Sequence, residues 1–179
     1  MESEQDVLSY EGFFSMEMCN YGSYLASRLE YNGNLYDKML LSGKKIACHG
    51  SDDNHNKFPE DSPEFDSFGV FTMIQPQEFT YKSVIDAMEK GSMYCSMGPL
   101  FKEVSFENGK LHIECSPVNC ITVYTGRKMP YHVRCHINES ITSADFELDD
   151  SIKFVRVSVT DKYGNAADTR GFTKEELGI

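Results

Sequence analysis

The sequence lacks a basic block. Its 179 residues hold 17 Lys and Arg against 28 Asp and Glu, a formal net charge of -11 at pH 7, which argues against duplex nucleic acid and anionic membrane surfaces as partners. It also lacks an apolar run of the ~18 residues that a membrane span requires. Residues 1–20 show no basic segment followed by an apolar one, so no export signal is read and a cytoplasmic location is expected. The six cysteines, Cys19, Cys48, Cys95, Cys115, Cys120 and Cys135, include no Cys-x-x-Cys pair, and three sit inside apolar runs. Reduced, mostly buried thiols are predicted, although the even count leaves disulfide pairing open. No Gly-x-Ser-x-Gly elbow, P-loop or dinucleotide fingerprint is present, so nucleophilic serine or thiol catalysis has no positive support.

What is present suffices for a core: the hydrophobic content is 40%, ordinary for a globular protein. The first half alternates helix-like and strand-like segments. A short helix after Ser3 ends at Gly12; "GFFSMEMCN" reads as a strand with Phe14, Met16 and Met18 on one face; "NLYDKMLLSGK" reads as a helix with Leu35, Met39 and Leu40 inward and Gly43 past its end. "KKIACHG" and "FGVFTMI" read as strands, the second buried, and Thr80 caps the helix "YKSVIDAMEKG" before a further strand "SMYCS". Such alternation predicts a largely parallel α/β sheet or barrel. Between them, the acidic, proline-bearing "NKFPEDSPEFDS" is a loop of about a dozen residues, a length associated with function or mobility.

From about Leu100 the pattern turns all-β. "VSFENGKLHIEC" alternates on both sides of Asn108-Gly109, the favoured two-residue hairpin turn. "CITVYTG", "SADFEL" and "KFVRVSVTD" add strands, and "TKEELGI" reads as a frayed helical tail. The expected fold is α/β plus all-β, with a first domain over 1–99 and a small antiparallel sandwich over 100–179.

The chemistry concentrates in "ACHGSDDNH". Asp53 and His55 are two residues apart, so in extended backbone both leave the same side and can converge on one ion. A carboxylate with an imidazole suits Zn, Mn or Fe better than Ca. They follow a strand, and active sites of parallel α/β folds gather at strand carboxyl ends. The alternative is a turn in which Asp52 or Asp53 caps nearby amides. An EF-hand reading fails, because Lys57 stands where glycine is needed and Pro63 where the last Glu is needed. A rival metal set, Cys115, Cys120, His132, Cys135 and His136, has no zinc-finger spacing.

Taken together, "FFSMEMCNYGS", "YDKMLLSGKKIACHGSDDNHN", "TYKSVIDAMEKG", "MYCSMGPLFKEVSFENGKLHIECSP" and "VRVSVTDKYGNAAD" resemble, in that order, the PHP (polymerase and histidinol phosphatase) metal-dependent phosphoesterases that carry a β-sandwich after the barrel. The resemblance implies the C-terminal part of a distorted β/α barrel, then an Ig-like sandwich. It implies two or three divalent ions in the complete site and hydrolysis of a small phosphorylated substrate by a metal-activated hydroxide. Asp53 and His55 correspond to the last ligand pair. Glu17 and Asn20 correspond to strand-end residues lining the site as supporting or substrate groups, with His49 and Asp52 as candidates to orient the ligands. The family's opening His-x-His strand is absent, and Met1 falls where such proteins have an internal position. The chain is therefore expected to be inactive alone and to need a missing N-terminal half or self-association. A non-catalytic binding module built on the sandwich is the competing expectation.

Overall fold

The computed structural model describes residues 4–26 and 31–179, and the chain divides into two compact units, Met1–Cys95 and Ser96–Ile179. The fold is mixed and β-rich, and among the described residues no strand set closes into a barrel. No described helix is long and apolar enough to cross a membrane.

In the first unit the elements run α1 (Glu4–Ser9), β1 (Ser15–Asn20), α2 (Tyr21–Leu25), α3 (Gly33–Leu41), β2 (Ala47–Ser51), β3 (Phe71–Ile74), α4 (Tyr81–Glu89) and β4 (Met93–Ser96). Ser3, read as the opening cap, lies outside the described residues. β1 and β2 pair in parallel, the arrangement that requires a crossover rather than a hairpin; α3 lies in that crossover. Its buried stripe is Gly33, Tyr36 and Met39 rather than the predicted Leu35, Met39 and Leu40. The difference has a polar cause: the fully buried Tyr36 donates its hydroxyl to the Ile46 carbonyl at 2.7 Å, so an aromatic with a polar tip takes a place that hydrophobicity alone gives to leucine.

β1 is interrupted where its register shifts between Glu17 and Cys19. The bulge leaves Met18 and Cys19, successive residues, both buried and brings Asn20 opposite Ser51, the local re-aiming that a bulge provides. The expected buried strand "FGVFTMI" is shorter and more exposed. β3 covers only Phe71–Ile74, Met73 is exposed, and Phe68 is 85% exposed with a positive φ of 66°. β2 and β3 are tied by one hydroxyl: Thr72 Oγ1 accepts from the Gly50 N–H at 3.1 Å and donates to the Gly50 carbonyl at 2.8 Å. Thr80 caps α4 as read, accepting from the Ser83 N–H.

The second unit is antiparallel throughout its described pairings. β5 (Phe101–Glu107) and β6 (Lys110–Val118) form the predicted hairpin, with Glu107 opposite Lys110. Asn108 and Gly109 both have positive φ, 52° and 82°, the backbone that a tight two-residue turn demands and that glycine adopts without a Cβ clash. β9 (Ile141–Glu147) completes a three-stranded sheet on β6. A second set has β10 (Phe154–Thr160) flanked by β7 (Cys120–Tyr124) and β11 (Ala166–Thr169), with β8 (Tyr131–Arg134) beyond β7 and β12 (Phe172–Thr173) also on β10. β8 has no counterpart in the sequence reading: at four residues, with His132, Val133 and Arg134 exposed, it is too short and too little buried to stand out as a strand pattern.

The core of this unit comes from alternate residues: Leu111, Ile113 and Cys115 of β6, Ile121 and Val123 of β7, and Val155, Val157 and Val159 of β10 are buried. The opposite face of β10 is buried too. There Arg156 donates to Asp168 at 2.6 Å, with the two side chains only 3% and 1% exposed, and stacks 4.1 Å from the centre of the Tyr124 ring. The chain ends in α5 (Lys174–Leu177), which is fully capped rather than frayed: Thr173 and Glu176 form a reciprocal capping box and Gly178 is left-handed.

Candidate metal centre

The carboxyl ends of β1 and β2 place the site. Asp53 follows β2 at a positive φ of 49°, a backbone that Asp tolerates better than most residues. Together with His55, Lys57, Phe58, Glu64 and Asp66 it lines an open depression of about 300 Å³. Asp53 and His55 are both exposed. Thus the two residues read as a ligand pair open onto one surface.

Glu17 and Asn20 reach the same group by hydrogen bonds. Asn20 Nδ2 donates to Asp53 Oδ2 at 3.2 Å and to Glu17 Oε2 at 3.4 Å, while its Oδ1 accepts from the Ser23 N–H at 2.9 Å. Ser51 donates its hydroxyl to Glu17 Oε1. The amide of Asn20 therefore does two things at once: it caps α2 and it holds the Asp53 carboxylate at the strand end.

Asp52 is fully occupied with backbone. Its Oδ1 accepts from the Gly69 and Val70 amides at 2.9 and 2.8 Å and its Oδ2 from the Phe68 amide, and its carbonyl accepts from the Gly22 N–H at 2.9 Å. This is the amide-capping alternative, realised across 16 to 18 residues of sequence rather than locally. Gly69 is required there, since a Cβ would lie 2.2 Å from the Tyr21 ring. The clamp closes the acidic loop and brings its far end back to its start.

Beside that far end stands Asp66, which the sequence reading did not single out. It is only 8% exposed; Oδ2 accepts from the His55 backbone N–H at 2.8 Å, while the buried Oδ1 has no hydrogen-bond partner. The signal available was the length and acidity of the loop. Which of Glu60, Asp61, Glu64 and Asp66 folds inward depends on the clamp by Asp52, and no local pattern carries that.

His49 faces elsewhere. Its Nδ1 is 2.7 Å from Ser15 Oγ, and both residues line a separate cavity of about 520 Å³ with Phe13, Phe14, Ile74 and Met88. Burial lowers its pKa below 6.5, against a smaller upward pull from Glu17. The neutral form of the imidazole is thus favoured by its burial in a mostly apolar setting.

Among the described residues, no three His, Cys, Asp or Glu side chains are gathered as a metal-holding group. The rival Cys and His set is accordingly dispersed. Cys115 is buried and its thiol is pushed up to about 11 by that burial. Cys120 meets Thr122 at 3.4 Å, Cys135 contacts Asn119, and His132 and His136 are exposed. Cys115, Cys120 and Cys135 form no disulfide. A carboxylate and an imidazole, those of Asp53 and His55, open onto the depression, and beside them a buried oxygen of Asp66 lacks a partner; donors of these types would suit a divalent ion.

Comparison with family models, curated proteins and solved structures yields no match to this chain.

Proposed function

We propose that this chain is the metal-binding C-terminal portion of a PHP-type metal-dependent phosphoesterase, a distorted β/α barrel segment followed by an Ig-like sandwich, working in the cytoplasm on a small phosphorylated substrate. The observation that carries the reading is that Asp53 and His55 line one depression at the carboxyl ends of a parallel strand pair, with Asn20 donating to both Asp53 and Glu17. That is where parallel α/β folds place their chemistry.

Asp53 and His55 hold a Zn, Mn or Fe ion. Asn20 fixes the Asp53 carboxylate, and Glu17, anchored by Ser51, fixes Asn20. Lys57, on the same depression, offers positive charge to a phosphoryl group. The ion, when bound, supplies activation of water near neutral pH and neutralisation of phosphoryl charge. Two protein ligands fall short of the three that a working site requires, so hydrolysis needs further ligands, from a His-x-His segment of another half or from a second copy.

The test is hydrolysis of p-nitrophenyl phosphate with Zn²⁺ or Mn²⁺. The chain alone is expected to be inactive, to gain activity with a His-x-His-bearing half, and to lose it on Asp53→Ala. No activity in that combination contradicts the reading.

A further inference from the structure

We infer that Asp66 is the positioning residue of the site: its carboxylate takes the ring N–H of His55 and so fixes the imidazole that faces the metal. The inference rests on the reading of His55 as a ligand and extends it to a residue outside the ligand set.

Three observations meet at Asp66. First, it already holds His55, accepting its backbone N–H through Oδ2 at 2.8 Å, so the other carboxylate oxygen lies beside the same residue. Second, that oxygen, Oδ1, is buried and unpartnered. A buried acceptor without a donor carries a desolvation cost that native structures rarely leave standing, and a carboxylate oxygen more so than a neutral one. Third, Asp66 and His55 line one depression together with Asp53. A histidine that ligates a metal through one ring nitrogen presents its other N–H for a carboxylate, which fixes ring orientation and raises ligand basicity. In the metal-loaded site a ring N–H of His55 would be the donor that Oδ1 lacks, leaving the other ring nitrogen for the ion. Asp66 itself need not touch the ion.

The design of the loop supports this role. Asp52 clamps the amides of Phe68, Gly69 and Val70, which begin two residues after Asp66, and sits immediately before Asp53. One carboxylate closes the loop, and a second, inside it, addresses the ligand.

The test is a Zn²⁺ titration of the full chain by calorimetry, with Asp66→Asn, Asp53→Ala and His55→Ala alongside. Asparagine keeps the size and one oxygen for the His55 backbone N–H, but removes the charge and the second acceptor. Asp66→Asn is expected to weaken Zn²⁺ by about 10–100-fold while the metal-free melting midpoint stays close to that of the unmodified chain. In ¹H–¹⁵N spectra of the Zn²⁺-loaded unmodified chain, the His55 ring N–H is expected as a slowly exchanging, low-field signal; this measurement needs no variant to fold. Affinity within about twofold for Asp66→Asn, or a rapidly exchanging ring proton in the loaded chain, overturns the inference. Zn²⁺ binding lost in Asp53→Ala but retained in Asp66→Asn overturns it alone, whereas no Zn²⁺ binding by the unmodified chain overturns the ligand reading with it.

Discussion

Among the described residues each unit buries one carboxylate, and the two are treated in opposite ways. In the second unit Asp168 lies 2.6 Å from the equally buried Arg156, which also stacks on Tyr124. In the first unit Asp66 holds one backbone N–H and leaves its other oxygen unpartnered. The first arrangement is closed: charge meets charge inside an antiparallel framework. The second is open at the ends of a parallel pair, in a loop whose shape is imposed by Asp52. Burial without neutralisation is unfavourable, so the fold compensates the first carboxylate with a buried cation and leaves the second with one oxygen uncompensated.

Breaking the closed arrangement has the largest expected effect. Asp168→Ala strands the Arg156 guanidinium in the interior and is expected to destabilise the protein by about 3–5 kcal/mol, read as a lower midpoint in urea denaturation. A loss below about 1 kcal/mol, the range of a surface pair, would remove the contrast. The loop clamp comes next. Asp52→Ala deprives three successive amides of their acceptor and is expected to cost about 1–3 kcal/mol. Faster hydrogen exchange is expected at Phe68, Gly69 and Val70, with protection of the β6 and β10 amides unchanged. Unaltered exchange at those three positions contradicts the clamp. Third, Gly109→Val places a branched side chain at φ 82° and is expected to cost about 1–2 kcal/mol, with the loss confined to the β5–β6 hairpin.

How much of this the sequence makes legible depends on range. The Asn108-Gly109 hairpin, the Thr80 cap and the alternation of Val155, Val157 and Val159 are local patterns, and the structure places each of them. Tyr36 in the buried stripe, the bulge at Met18 and the exposure of Phe68 are not local. Each is set by a partner far along the chain: the Ile46 carbonyl, the β2 register and the Asp52 carboxylate. The candidate site divides the same way. Asp53 and His55 are two residues apart in sequence and share one depression, whereas Asp66 joins them only through the closed loop.

The smallest predicted effect sharpens the comparison through two histidines. His49 in the first unit is half-buried and its pKa is lowered by that burial. Its contribution to stability is full above pH 6.5 and is lost as pH falls through the lowered folded value. His112 in the second unit is exposed and its pKa is raised, first by its hydrogen bond to Asp145. Its contribution is full below pH 6.5 and is lost as pH rises through the raised value. An NMR titration of the imidazole signals is expected to place His112 above 6.5 and His49 below it, and the reverse order contradicts both environments.

The most direct measurement is calorimetric titration of Zn²⁺ into the unmodified chain and into Asp53→Ala and His55→Ala. A single saturable binding event, weakened by about tenfold or more in each variant, is the predicted result. No binding, or binding that neither substitution weakens, contradicts a metal centre at the carboxyl ends of β1 and β2.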